Sequence, residues 1–316
     1  MSTATMIEHI PVMQREVLAA LNVRPGGRYV DCTVGAGGHA FAVIEAAAPG
    51  GSLLGIDLDP QALAAARRKL EGFGANVRLV EGNFAEMERI CSELDFAPVH
   101  GVLLDLGLSS LQLEESERGF SFQREGPLDM RFSPQQEVTA AEIVNGHAES
   151  ALADVLWRYG DESRSRRIAK RIVERRPLHT TTELAKVVEE AVGRRARRLT
   201  HPATRTFQAL RIAVNQELLS LETALPQAYG LLGDLGRLAV LSYHSLEDRL
   251  VKTFIRQESR DCLCPPRQPI CTCSHEAGLR PVSRGAVRPS PEEVARNPRS
   301  RSARLRAAER LPATAG

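Results

Sequence analysis

From Arg28 onward, short apolar runs alternate with amphipathic stretches. Arg28–Thr33, Ser52–Asp57, Val77–Val80 and Gly101–Leu106 have the length and content of buried strands. Between them, His39–Ala48, Pro60–Leu70 and Phe84–Glu93 carry helical spacing. The alternation predicts a parallel sheet covered by helices. Residues 1–27 read as a helical lead-in, amphipathic through Leu21 and stopped by Pro25-Gly26-Gly27.

After Asp105 the pattern changes. Glu114–Met130 is polar, glycine-bearing and loop-like. From about Thr139 to Val192 the apolar positions are helically spaced: Leu152, Val155, Leu156 and Tyr159, then Ile168, Ile172 and Val173. Thr181 or Thr182 is expected to cap the helix that starts near Glu183. A helix over Phe207–Tyr229 follows, and a strand returns at Gly236–Tyr243. The expected fold class is α/β, with a discontinuous sheet domain (1–112 and 206–316) and an inserted, basic, all-helical subdomain (113–205). The tail after Pro289, rich in Arg, Pro and Ser, is expected to be partly disordered.

Length and composition fit this picture. A chain of 316 residues, 43% hydrophobic, holds about two domains. No apolar run approaches the roughly 18 residues of a membrane span. The N-terminus lacks the basic start and apolar stretch of a signal peptide, so a cytoplasmic address is expected. Net charge is only +2 but uneven. Arg164–Arg211 is crowded with arginine and lysine, including Arg194, Arg195, Arg197 and Arg198, against only Glu174, Glu183, Glu189 and Glu190. With the arginine-rich tail from Arg280, this points to phosphate backbones rather than to solvated faces alone.

Of six cysteines, Cys32 and Cys91 are isolated and read as small buried hydrophobes. Cys262, Cys264, Cys271 and Cys273 form C-x-C-x₆-C-x-C, broken into turns by Pro265, Pro266 and Pro269. In a cytosolic chain that spacing favours thiolate metal binding over disulfides, with four thiolates closing a structural zinc site. A loop of free thiols is the other reading.

The chemistry concentrates at strand ends. D-C-T-V-G-A-G-G-H-A (31–40) closes the first strand, and Asp57 closes the second. Glycines let the backbone approach a ligand, a helix start offers free N–H groups, and the later carboxylate can accept ribose hydroxyls. This predicts an adenosine-containing cofactor. Gly35–Ala40 also fits the nicotinamide fingerprint G-x-G-x-x-A, so the loop alone leaves S-adenosylmethionine, a nicotinamide and an ordinary glycine turn open.

Asp105 ends the next strand and is expected to flank the same crevice. A nucleobase amine is a poor nucleophile, and acceptors for its N–H bonds help it attack a sulfonium methyl. Asp105 and its turn are such acceptors. Carbon methylation of a pyrimidine would need a cysteine nucleophile, and none lies between Cys91 and Cys262. S-Y-H-S-L-E-D-R (242–249) closes the last strand. There His244 is a candidate to contact a base edge or relay a proton, with Asp248 and Arg249 setting its environment.

H-I-P-V-M-Q-R-E-V (9–17), the glycine loop, D-L-G-L-S-S-L-Q (105–112), R-G-F-S-F (118–122), G-P-L-D-M-R (126–131), T-F-Q-A-L-R-I-A-V-N-Q-E-L (206–218), S-Y-H-S-L-E-D-R and N-P-R-S-R-S-A-R-L-R (297–306) span nearly the whole chain. Together they resemble the RsmH (MraW) family, the bacterial 16S ribosomal RNA cytosine-N4 methyltransferases. The resemblance implies a class I (Rossmann-like) methyltransferase core and S-adenosylmethionine as donor. It places donor contacts on Gly37, Gly38, His39, Asp57, Phe84, Asp105 and Gln112, and a decoding-centre cytosine as target. Catalysis is expected at Asp105 and His244, with Phe120 or Phe122 near an extruded base. The expected partner is 16S rRNA or the small ribosomal subunit, with a homodimer left open and no membrane. Tyr243 stands where phenylalanine is usual and Ala40 where serine is usual. The cysteine cluster occurs in only part of the family, so metal there is not required for the shared chemistry.

Overall fold

The computed structural model describes residues 11–109, 112–113, 115–193, 201–265, 268 and 270–312. The chain divides into two compact units, Met1–Gly107 with Ser220–Gly316, and Leu108–Leu219. The helical unit is thus wider at both ends than the 113–205 read from sequence.

The first unit is built on strands β1 (Arg28–Asp31), β2 (Ser52–Asp57), β3 (Val77–Glu81), β4 (Val99–Asp105), β5 (Leu232–Ser242), β6 (Leu279–Pro281) and β7 (Arg304–Arg310), in the order β3-β2-β1-β4-β5-β7-β6. β1 to β5 pair in parallel, and β7 is antiparallel to both its neighbours. The strand order reverses between β1 and β4, which makes a crevice beyond their carboxyl ends. The covering helices are α1 (Gln14–Leu21), α2 (Gly38–Ala46), α3 (Pro60–Leu70) and α4 (Met87–Glu93).

Strand alternation divides the core between the two faces of the sheet. Val30, Leu54, Ile56, Val102, Leu104 and Val240 belong to one cluster, and Tyr29, Leu53, Leu103, Ala239 and Leu241 to the other. The helices follow from local signals. In α3, Asp59 accepts from the Gln61 N–H at 3.0 Å and Pro60 takes the first turn. Ala62, Leu63, Ala66 and Leu70 form its buried face.

The second unit packs α5 (Ala140–Gly146), α6 (Glu149–Gly160), α7 (Ser165–Arg175), α8 (Thr181–Val192) and α9 (Thr204–Asn215) around Leu152, Leu156, Ile168, Ile172, Leu184 and Leu210. The cap of α8 is Thr180, not Thr181 or Thr182. Its hydroxyl accepts from the Glu183 N–H while the Glu183 carboxylate takes the Thr180 N–H, a capping box whose spacing fits Thr180 alone.

Two further expectations fail. The helix expected over Phe207–Tyr229 is two helices, α9 and α10 (Glu217–Leu231), broken at Gln216 in the left-handed region (φ 50°). No glycine or proline marks the break. Asn215 fixes it instead, donating to Met130 O and accepting from the Phe132 N–H, both at 2.8 Å. The tail is also structured through Pro312: α12 (Pro291–Arg296) is capped by Ser290, and β7 inserts between β5 and β6. Carboxylates hold two of its arginines and two that precede it. Arg304 and Arg306 both bond Asp248 on α11 (Ser245–Glu258), and Arg237 and Arg280 both bond Glu309. No helix among the described residues is long and apolar enough to cross a membrane.

Candidate active site at the acidic strand tips

β1 ends early. Asp31 stands opposite Gly55 on β2 and Leu103 on β4. Asp57 and Asp105 therefore each lie two positions beyond Asp31, on either side of it. Two strand spacings separate the two tips, about 10 Å. The backbone leaving β1 fills the notch as the glycine loop. The Gly35 N–H donates to Asp57 Oδ2 at 2.8 Å, and Thr33 Oγ1 accepts from the Asp105 N–H at 2.7 Å. The loop is thus pinned to both tips.

Gly37 caps α2 at φ 81°, and a Cβ there would stand 3.3 Å from Ala66 Cα. At Gly38 a Cβ would fall 2.7 Å from Pro11 Cγ. A side chain at Gly37 would be strained by the positive φ and crowd Ala66, and one at Gly38 would require Pro11 or the loop to shift.

The carboxyls differ in environment. Asp57 also accepts from the Asp59 N–H at 2.9 Å. Burial pushes its carboxyl up to about 6 despite these bonds. Asp31 is only 2% exposed; Oδ1 accepts from the Thr33 N–H, and Oδ2 has no hydrogen-bond partner among the described residues. Burial, with the charges of Asp105 and Asp57 adding to it, pushes Asp31 up to about 8. Asp105 is a quarter exposed. It accepts the Tyr243 hydroxyl at 2.8 Å, and its second oxygen lies 3.5 Å from His39 Nε2.

Comparison with known proteins decides between the readings of this crevice. The profile of the MraW methylase family matches residues 6–311. The chain belongs to the MraW methylase family. It is 58% identical to the ribosomal RNA small subunit methyltransferase H of Dehalococcoides mccartyi (strain BAV1), over 97% of this chain and 88% of that one. It is 53% identical to the protein of that name from Thermomicrobium roseum (96% and 94% covered), and 50% to that from Syntrophotalea carbinolica (98% and 100%). The nicotinamide alternative falls with this membership.

The residues expected to serve an MraW methylase fall in different places. Gly37, Gly38, His39, Asp57 and Asp105 line or border the notch, and Phe84 follows β3 in a short 3₁₀ turn capped by Asn83. Gln112 belongs to the helical unit, where its side chain accepts from the Ser109 N–H. His244 caps α11: Nδ1 accepts from the Glu247 N–H at 3.4 Å, and Nε2 lies 3.0 Å from the Glu247 carboxylate. Asp248 does not set its environment. Burial raises the Asp248 carboxyl, but hydrogen bonds from Arg306 and Arg304 outweigh that and hold it below the usual range.

Phe120 is buried in the helical core against Phe132, and Phe122 stacks on His201 and meets Phe207 edge-on. Both rings contribute to packing. Arg171 and Arg175 bond Glu190, and Arg164 and Arg176 bond backbone carbonyls. Arg166, Arg167 and Lys170 are exposed on α7. Arg194, Arg195, Arg197 and Arg198 lie outside the described residues.

The four clustered cysteines offer sulfurs within 4.8 Å of one another. Cys262–Cys271, Cys271–Cys273 and Cys262–Cys273 are 3.4, 3.6 and 3.8 Å apart, and none is a disulfide. Backbone N–H groups of Leu263, Cys264 and Thr272 point at three of the sulfurs. Sequence reading passed over Asp31 as a site residue. The argument that singled out Asp57, a carboxylate closing an apolar strand, applies to it equally.

Proposed function

We propose that this chain transfers a methyl group from S-adenosylmethionine to the exocyclic N4 amine of a decoding-centre cytosine in 16S ribosomal RNA. One observation carries the reading: Asp57 and Asp105 stand level on either side of the shortened β1, with the glycine loop between them. The names of the relatives support rRNA as substrate.

The residues fit the donor. S-adenosylmethionine is cationic at sulfur and at its amino group, and three carboxyls surround the notch. Asp57 retains lone pairs for ribose hydroxyls beside its two backbone bonds. Asp31 Oδ2 is a buried carboxyl oxygen without a partner among the described residues, and a cationic ligand favours its ionised, accepting form. When bound, the donor supplies an electrophilic methyl group. Asp105 accepts the N–H bonds of the incoming amine, which favours a pyramidal nitrogen aimed at that methyl. Tyr243 holds the Asp105 carboxylate in one orientation by its hydrogen bond. His244 acts as a positioning residue by fixing the start of α11. Arg166, Arg167 and Lys170 hold RNA backbone, because no carboxylate among the described residues consumes their charge.

The four cysteines, in this reading, bind one structural zinc. At a Zn–S distance near 2.3 Å, a tetrahedral site spaces its sulfurs by about 3.8 Å. The separations of 3.4 to 3.8 Å fit that arrangement with small adjustment.

Mass spectrometry of 16S rRNA from cells lacking the gene, complemented with wild type or with Asp105→Ala, tests the function. The expected result is a cytosine methyl restored by wild type only. Unaltered methylation without the gene would sink the proposal.

A further inference from the structure

We infer that a basic concavity on the sheet unit, between α11 and the β6–β7 edge, binds the phosphodiester backbone of the RNA substrate. The inference rests on the methyltransferase reading above and adds a docking surface to it. The concavity measures about 300 Å³ and is lined by Lys252, Arg256, Arg260, Arg284 and Arg306, with no carboxylate in its wall.

The charge balance singles this place out. Nearby, Arg237 and Arg280 are neutralised by Glu309, and Arg304 by Asp248. Arg306 shares in that. Lys252, Arg256, Arg260 and Arg284 form no ion pair among the described residues, and all four are exposed. Lys252 and Arg256, one turn apart on the same wall, are separated by about 6 Å along the helix axis, less than a Debye length near 8 Å, so they repel one another. A concave wall of one sign focuses the field and draws an anion into it. A face that is merely solvated would spread such charges over a convex surface.

Position favours RNA as the occupant. Helix α11 starts at His244, beside the strand tips. Arg256 lies about 18 Å farther along its axis at 1.5 Å per residue. A strand with one base in the crevice can lay its flanking phosphates along this helix. Lys252, Arg256 and Arg260 recur every four residues, so they lie on one face of α11 and its exit.

The test uses the full chain and a fluorescent RNA hairpin carrying the target cytosine, with affinity measured across a salt series. The triple variant Lys252→Glu, Arg256→Glu, Arg284→Glu should bind at least about tenfold more weakly, with a log–log salt slope shallower by about 2. The matching Gln variant should fall between, and both should keep wild-type affinity for S-adenosylmethionine and wild-type thermal midpoints. An unchanged slope in variants that still fold and bind donor overturns this inference alone. So does stabilisation of wild type by inorganic phosphate with RNA affinity equal in all three, which would make the concavity a small-anion site. A wild-type chain that binds donor but no RNA would overturn the functional reading as well.

Discussion

Tyr243 donates its hydroxyl to Asp105 Oδ1 at 2.8 Å, from the end of β5 to the end of β4. Burial raises the Tyr243 hydroxyl well above its ordinary value, and the charge of Asp105 adds to this. The tyrosine therefore remains a donor at any working pH, and the bond fixes the orientation of the Asp105 carboxylate.

Asp105→Ala and Tyr243→Phe should consequently differ in degree. Loss of the acceptor should lower kcat by about a hundredfold or more, whereas loss of the supporting bond should cost about tenfold. Steady-state methylation of 16S RNA by both variants checks this. Near-normal turnover by Asp105→Ala would remove the residue from the chemistry.

Asp31 makes stability depend on pH in a definite direction. Its carboxyl is raised from 3.8 to about 8 in the folded chain. Between those values the folded state keeps a proton that the unfolded state has lost. The contribution of this group is therefore fully present below 3.8 and is lost as pH rises through about 8. Asp31→Asn abolishes the titration. Its stability, followed by the thermal midpoint, should overtake that of wild type as pH climbs through this window, by a free energy on the order of a few kcal/mol. A constant offset between the two chains from acid to alkali would contradict the assignment.

A cationic donor should favour ionised Asp31 and Asp57. Calorimetry in buffers of different ionisation enthalpy should show proton release when S-adenosylmethionine binds near neutral pH, and less for the uncharged thioether product. Equal release for both would mean the sulfonium does not sense these carboxyls.

His244 can be separated from the chemistry by choosing a second good cap. Asn accepts from a helix N–H as His244 does, so His244→Asn should retain kcat within about threefold, whereas His244→Ala should lose about 1 kcal/mol of stability. A well-folded Asn variant without activity would move the imidazole into the reaction.

Metal content tests the cysteine cluster. Chain purified from zinc-containing medium should carry about one zinc, and replacing Cys262 and Cys271 by Ser should release it. Cobalt substitution should produce thiolate charge-transfer absorption. Equal metal content in the Ser variant would leave four free thiols.

Much of the fold was legible because its signals are local. Strand–helix alternation, the cap of α3, the glycine loop and the placing of Asp57 and Asp105 at strand ends are each written within a few neighbouring residues. Where a local signal was ambiguous, the reading slipped by little: three threonines in a row precede Glu183, and only the spacing of the capping box selects Thr180. The break at Gln216 carried no local mark at all, since it is held by Asn215 reaching residues more than eighty positions earlier.

What the sequence determined by itself was the type of protein: an α/β methylase with an inserted helical unit and acidic strand tips. Tertiary structure decided how its charges are used. Arg304 and Arg306 are neutralised by Asp248 across more than fifty residues, while Lys252, Arg256 and Arg260 form no ion pair among the described residues. Asp31 differs from Asp57 in accepting fewer backbone N–H bonds and in lying against two other carboxyls. Pairing and desolvation are properties of groups brought together by folding, so composition and periodicity along the chain cannot fix them.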